Sequence, residues 1–307
     1  MILGIDTSNY TTSAALYDSA TESVVQRRKG LPVKFGELGL RQSDALFHHT
    51  VQLPALLEDL LAEKPALAAV AVSDKPRSAE GSYMPCFLAG VSVAAGVAAA
   101  LGVPLRRCSH QEGHLASALY SAGKMDWMRA PFLAFHLSGG TTECLLVPAR
   151  TLAGWAAECI GGSSDLKAGQ VVDRLGVSLG LPFPAGAALD ALALQGTLPR
   201  RPSPALRGLT CSFSGLENQC AALLAQGCPQ ADAARYCLEC IATALEKMVE
   251  RIFESHGTLP MLFVGGVACS EVLRQRIRRR YPAAVFAAPA FSADNAVGAA
   301  VLAASSY

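Results

Sequence analysis

A layered α/β protein built from two related halves is what this sequence predicts, and three observations carry the prediction. The first is a short pattern that occurs twice, 130 positions apart: Ile5-Asp6-Thr7-Ser8-Asn9-Tyr10-Thr11-Thr12 stands against Phe135-His136-Leu137-Ser138-Gly139-Gly140-Thr141-Thr142. The second is its setting. Each copy follows an apolar run (Met1 to Ile5; Phe132 to Phe135) and precedes another (Ala14 to Tyr17; Cys144 to Val147), which reads as strand, small polar turn, strand. The third is the order of elements, strands first as a meander and then alternating with helices. Turns of Ser, Thr and Gly can present backbone N–H groups and hydroxyls to a phosphate because nothing bulky blocks the approach. Paired hairpins of this kind clamp the nucleotide in actin-like ATPases and sugar kinases. The expected architecture is therefore two actin-like (ASKHA, ribonuclease H-like) lobes around a nucleotide cleft, residues 1–125 and 126–307, with the last helix a candidate to pack back on the first lobe.

Taken in order, strands are expected near Ile2–Asp6, Thr12–Asp18 and Ser23–Arg28. A helix from about Asp44 to Glu63 follows, capped by Ser43 or Asp44, with Pro54 as a kink. Next come the strand Leu67–Ser73, a helix over Cys86–Leu101 and a short strand from Leu105. The second half holds helices near Asp165–Leu179, Gly186–Leu194, Ser214–Ala225, Ala231–Glu254 and Ser270–Arg280, the strand Met261–Val264, and a last helix from about Ser292. Lys29–Leu40 and Leu194–Leu209 lack periodicity and read as surface loops, candidates to face a substrate.

Composition narrows the class. Of 307 residues, 51% are hydrophobic and 17% charged, so a large core is easily buried. The longest apolar stretch, Phe87 to Val103, contains Gly90, Gly96 and Gly102 and falls short of the roughly 20 residues a membrane span needs. Met1 leads directly into a strand, without a basic or cleavable apolar leader, which predicts no secretory signal, no membrane and a cytoplasmic location. The ten cysteines sit in apolar segments and read as reduced core residues, Cys237 and Cys240 included. A net charge of +1 neither demands nor excludes nucleic acid. The basic run Arg274–Arg280 has the spacing of a solvated helix face, and His48-His49 reads as helix surface.

Four constellations carry chemistry. His110 and His114, at i and i+4, fall on one helix face and could reach one metal ion, although the spacing alone is common. A third donor is needed. Asp294 is the candidate, yet at the start of the last helix it also fits a plain N-terminal cap. Gly265-Gly266 joins an apolar strand to a helix, where glycines permit a tight turn and close approach to a ligand. Asp173 is either a surface carboxylate or an acceptor for two vicinal ribose hydroxyls. Pro182 and Pro184, followed by Gly186, make a rigid turn with an open backbone.

In combination these segments resemble a known family. Gly4-Ile5-Asp6-Thr7-Ser8, His110-Gln111-Glu112-Gly113-His114, Leu137-Ser138-Gly139-Gly140, Asp173-Arg174, Leu179 to Pro184, Ser212-Phe213-Ser214-Gly215-Leu216, Gly265-Gly266-Val267 and Asp294-Asn295 appear in the order of the TsaD (Gcp) family. These are tRNA threonylcarbamoyladenosine transferases, formerly described as O-sialoglycoprotein endopeptidases. The resemblance implies one divalent metal, iron or zinc, on His110, His114 and Asp294. It also implies ATP or threonylcarbamoyl-adenylate on Ser138, Gly139, Gly140, Asp173, Gly186, Gly265, Gly266 and Ser270. It implies tRNA as substrate, with accessory subunits or a homodimer as partners. It assigns no catalytic side chain.

The chain departs from the family pattern at four places. Members commonly carry Cys-Asp-Glu-Thr after the Thr-Ser, where this chain has Asn9-Tyr10-Thr11-Thr12 and no acidic pair. Lys34–Ser43 has no counterpart of the Gly-Gly-Val-Val-Pro-Glu segment, Ser270 stands where Asn is usual, and Lys75–Tyr83 is more polar than the family's Gly-Pro-Gly turn. A divergent paralogue is therefore expected. It would act on another acceptor, handle ATP without modifying tRNA, or serve as a non-catalytic scaffold for the true transferase.

Overall fold

The computed structural model describes residues 1–8, 10–32, 40–151 and 154–305. Asn9 and residues 33–39, which hold part of the Lys29–Leu40 loop and of the Lys34–Ser43 departure, lie outside the described residues. The chain forms two compact units. The first comprises Met1–Arg129, Ala149–Ala156 and Ala290–Tyr307, and the second Ala130–Pro148 and Ala157–Pro289.

In the first unit, β1 (Ile2–Asp6), β2 (Thr11–Asp18) and β3 (Ser23–Gly30) form an antiparallel meander, and β4 (Ala69–Lys75) and β5 (Leu105–Ser109) extend it in parallel, in the order β3-β2-β1-β4-β5. Alternation along β1 divides the core. Leu3 and Ile5 face α1 (Gln42–Leu60) and α2 (Phe87–Leu101) through Leu53, Leu57, Ala94 and Ala98. Ile2 faces α9 (Val297–Ala304) through Val297, Ala300 and Val301. Gly4 makes that contact possible, because a Cβ there would lie 2.4 Å from the Ala296 carbonyl oxygen. α3 (His110–Ser121) crosses α9 just as closely: a Cβ on Gly298 would stand 1.8 Å from the Gly113 carbonyl oxygen.

The second unit repeats the frame. The strands β6 (Phe132–Leu137), β7 (Thr142–Val147) and β8 (Glu158–Ser163) form the meander, with β11 (Met261–Val264) and β12 (Val285–Phe286) parallel beside β6. The registers also coincide, since Asp6 pairs with Ser13 and His136 with Glu143, each shifted by 130. The hairpin β9 (Ala205–Arg207) and β10 (Thr210–Ser212) widens this sheet beyond β8. α4 (Ala168–Ser178), α5 (Gly186–Ala193), α6 (Ser214–Ala225), α7 (Gln230–His256) and α8 (Glu271–Arg280) complete the unit, and α7, buried over more than half of its residues, is the spine of its core. Among the described residues, no helix is long and apolar enough to cross a membrane.

Several local expectations are corrected. α1 begins at Gln42 behind Arg41, without a side-chain cap, so Ser43 and Asp44 lie inside its first turn. α9 begins at Val297, not near Ser292, and Asp294 does not cap it. His49 is fully buried rather than on the surface: it continues the inward stripe of Ala45, Leu53 and Leu57, and its Nδ1 lies 2.8 Å from Thr12 Oγ1. The arginine run is not simply solvated. Arg276 pairs with Glu239 at 2.5 Å and Glu246 at 2.7 Å on α7, and Arg274 donates to the Ala268 and Ala287 carbonyls. Within the loop reading of Leu194–Leu209, Ala205–Arg207 forms strand β9. Cys237 and Cys240 are buried free thiols.

Candidate functional site

The first unit gathers three side chains of the kinds that ligate metals. Ser109 ends β5 and opens α3 with a capping box: its hydroxyl accepts from Glu112 N at 3.2 Å, and Glu112 Oε2 accepts from Ser109 N at 2.8 Å. That cap fixes the first turn, so His110 and His114 project one turn apart with ring centroids 4.3 Å from each other. Their Nε2 atoms lie 3.4 and 3.0 Å from a single oxygen, Asp294 Oδ1. One donor atom from each residue fits within 4.8 Å of the others, so His110, His114 and Asp294 can hold a divalent ion. Two imidazole nitrogens and a carboxylate suit zinc or iron and leave coordination positions open.

Asp294 is aimed by its neighbour. Asn295, 4% exposed, accepts from Ser117 Oγ on α3 and from Val297 N, and donates to the Ala293 carbonyl at 2.7 Å. Asn295, just before the N-cap Ala296, thus bonds the first N–H of α9, while Asp294 faces the histidines. Sequence reading matched Asn295 to a motif without seeing this role. Glu112, the acid between the two histidines, turns away from them. Its carboxylate accepts from Ser78 Oγ at 2.7 Å and Trp155 N at 2.9 Å as well as from Ser109.

Asp6 closes the cluster from behind. It is 1% exposed, its Oδ2 lies 2.9 Å from His110 Nδ1, and its Oδ1 accepts from Ser8 N at 3.0 Å and Ser8 Oγ at 2.5 Å. Burial opposes a charge on His110, but the adjacent Asp6 and Asp294 carboxylates outweigh it, and the imidazole pKa is pushed up to about 10. Burial pushes the Asp294 carboxyl upward too, yet its hydrogen bonds to His110 and His114 hold it well below the usual carboxylate range. Asp6 is likewise held low, His110 outweighing the effect of burial. The remaining polar side chains of this hairpin are used internally: Thr7 Oγ1 donates to the Cys86 carbonyl and accepts from Gly90 N on α2.

The second unit arranges its hairpin differently. Ser138 Oγ accepts from Thr141 N at 3.0 Å, which rigidifies the turn, while Gly139 and Gly140 are exposed with open space around them. The start of α4 docks on this turn: Gly169 N donates to the Ser138 carbonyl, and a Cβ on Gly169 would meet Gly139 N at 2.5 Å. Beside it lies a cavity of about 450 Å³. Of the residues expected from sequence, Gly139, Asp173, Gly186, Gly266 and Ser270 line it. Ser138 and Gly140 belong to the adjoining turn. Gly265 forms the backbone bend, with φ +98° and no room for a Cβ against the Leu137 carbonyl.

One oxygen of Asp173 accepts from Ala185 N at 2.8 Å. Ser270 is partly committed elsewhere, since its hydroxyl donates to Asp190 Oδ1 at 2.5 Å and accepts from Leu273 N as the cap of α8. Asp190, which sequence reading missed, also accepts from Glu271 N and Val272 N. Its place one helical turn after Gly186 on α5 was the available signal.

Solved structures with this fold share little sequence with the chain. HypF from T. kodakarensis matches over 99% of this chain and 47% of its own, at 15% identity and a TM-score of 0.59. Component A of the (R)-2-hydroxyglutaryl-CoA dehydratase of Acidaminococcus fermentans matches over 98% of this chain and 96% of its own, at 13% identity and a TM-score of 0.58. A glucokinase of the ROK family from Streptomyces griseus, solved with glucose and AMPPNP, matches over 98% of both chains at 15% identity and a TM-score of 0.52. At these identities the likeness establishes the actin-like α/β fold alone. The family is established by sequence: the family model described as TsaD, tRNA N6-adenosine threonylcarbamoyltransferase, matches residues 22–301. With that match spanning nearly the whole chain and the His-His-Asp cluster in place, the chain belongs to the TsaD (Gcp) family of transferases.

Proposed function

We propose that this protein is a metal- and nucleotide-dependent acyltransferase that moves a threonylcarbamoyl-type group from its adenylate to an amine. The observation that carries the reading is the convergence of His110 Nε2 and His114 Nε2 on one Asp294 oxygen. A bound iron or zinc ion would supply Lewis-acid polarisation of the acyl carbonyl. The exposed Gly139 and Gly140 amides would hold the adenylate phosphate, and the second Asp173 oxygen would accept from the ribose hydroxyls. The Gly265–Gly266 bend would lie against the adenosine. In the transfer, the acceptor nitrogen bonds to the carbonyl carbon and gives up one proton to solvent, the bond from that carbon to the phosphate oxygen breaks, and AMP leaves with that bond's electron pair.

An adenosine in tRNA is the acceptor the family suggests, with accessory subunits or a second copy of the chain as partners. The acidic pair missing after Ser8 supports a different acceptor, in a paralogue whose nucleotide and metal frame is kept. Purified protein should carry about one iron or zinc ion. His110→Ala and His114→Ala should each lose it while retaining ATP affinity, and Asp173→Ala should do the reverse. A metal-free wild type with full ATP affinity would overturn the proposal. Complementation of cells lacking the transferase separates tRNA modification from the other readings, and nucleotide turnover by the isolated protein then separates an ATP-hydrolysing paralogue from a scaffold.

A further inference from the structure

We infer that Asp6 is a positioning residue of the metal centre: it holds the Nδ1–H of His110 and so commits that histidine to bind metal through Nε2. The inference rests on the metal reading above. A neutral imidazole carries its single proton on either nitrogen, and only the bare one can be a ligand. His110 has a carboxylate on each side, Asp6 at 2.9 Å from Nδ1 and Asp294 at 3.4 Å from Nε2. The two nitrogens point out of the ring in different directions, so Asp6 stands behind the ring while Nε2 shares the Asp294 oxygen with His114. A carboxylate behind a metal-bound imidazole fixes tautomer and ring orientation and raises ligand basicity.

Asp6 is built for the task. It ends a central strand, is 1% exposed, and is held by the Ser8 amide and hydroxyl, so its Oδ2 has little freedom to leave His110. Asp6 and Asp294 together carry two negative charges, which balance a dication between neutral imidazoles. The alternative carboxylate on α3, Glu112, is occupied by Ser109, Ser78 and Trp155. With no acid in the turn after Ser8, Asp6 is the carboxylate the first hairpin contributes.

The test compares wild type, Asp6→Asn, Asp6→Leu and Ser8→Ala for Zn²⁺ affinity by chelator competition and for the visible spectrum of the Co²⁺-substituted protein. His114→Ala serves as the ligand-loss control and ATP affinity as the folding control. Asp6→Asn keeps an acceptor but no charge and should weaken Zn²⁺ binding about tenfold, and Asp6→Leu about a hundredfold, with ATP affinity retained. The Co²⁺ bands of Asp6→Asn should shift in position without losing tetrahedral intensity, whereas His114→Ala should lose that intensity. Ser8→Ala should weaken binding by a few-fold, and it carries the test if the Asp6 variants fail to fold. Wild-type affinity and spectrum in Asp6→Asn, or in Ser8→Ala when it alone folds, would overturn the role of Asp6 and leave the metal reading standing. Failure of the wild type to bind Zn²⁺ would overturn both.

Discussion

Metal binding to this protein should expel a proton, and the size of the effect follows from the His110 site. Without metal, His110 lies between two carboxylates, and its pKa is pushed from 6.5 up to about 10. At pH 7 the imidazole is therefore protonated on both nitrogens. Coordination requires the Nε2 proton to leave while Nδ1–H stays with Asp6. Three pH units below the pKa, that displacement costs about 4 kcal/mol, since one unit is about 1.36 kcal/mol. Apparent affinity should rise about tenfold per pH unit above neutrality and level off near pH 10. Calorimetry in buffers of different ionisation enthalpy should count about one proton released per ion at pH 7, and chelator competition should give a Kd about a hundredfold lower at pH 8.5 than at 6.5. A pH-independent Kd with no proton released would refute the reasoning, because it would mean that His110 is already neutral between its two acids.

The same shifts fix the stability of the metal-free protein. A group whose folded-state pKa is raised stabilises below its unfolded value, and that stabilisation is lost as pH rises through the folded one. His110 therefore stabilises fully below about pH 6.5 and loses its contribution by about pH 10. Asp6 and Asp294, both lowered, stabilise fully above the ordinary carboxylate value of 3.8 and lose their contribution as pH falls below it through their lowered folded values. Urea unfolding of metal-free protein should show its maximum between the two limits, and added metal should shift that maximum upward.

Four substitutions test the frame around the sites. Gly298→Ala should force α9 from α3, costing about 1–3 kcal/mol in urea unfolding and weakening metal binding with little effect on ATP. Gly169→Ala should push α4 off the Ser138–Gly139 turn, and in titrations it should lower ATP affinity while metal content stays at wild type. Glu112→Ala strips Ser109 N and Trp155 N of a shared acceptor and should cost about 3 kcal/mol, read by thermal or urea melting. Arg276→Met leaves Glu246 without its cation, while Glu239 keeps Arg235, and should cost about 3 kcal/mol, with partial recovery at low pH as Glu246 protonates.

The repeat was legible because it is local: an apolar run, a small polar turn and a second run identify a hairpin wherever they occur. Glu158–Ser163 was not, since Gly161 and Gly162 erase alternation, and three-residue strands such as Ala205–Arg207 carry no period. His49 was legible in principle, because Ala45, His49, Leu53 and Leu57 recur every fourth residue, but a polar side chain hid the stripe. The i, i+4 histidines announced one face of α3. Spacing could not show what they face: Asp294, 180 residues from His114, was named as a candidate on the motif, and Asp6, 104 residues from His110, was not seen at all. Asp294 also fitted a cap for the same reason: only the fold shows that Asn295, at the next position, bonds the first N–H of α9.

The duplication explains why two copies of one pattern do different work. Both turns anchor the start of a following helix, Thr7 through Gly90 of α2 and Ser138 through Gly169 of α4. In the first copy Thr7, Ser8 and Thr12 are all buried, and their hydroxyls serve Cys86, Asp6 and Gln52. Those side chains are spent on rigidity and on holding Asp6 behind His110. The second copy has Gly139 and Gly140 where the first has Asn9 and Tyr10, and both glycines are exposed, Gly139 at the edge of a cavity. At the strand position occupied by Asp6 it carries His136. A shared register thus carries two different settings: a buried carboxylate beside the His110 ring, and exposed glycines at the edge of a cavity.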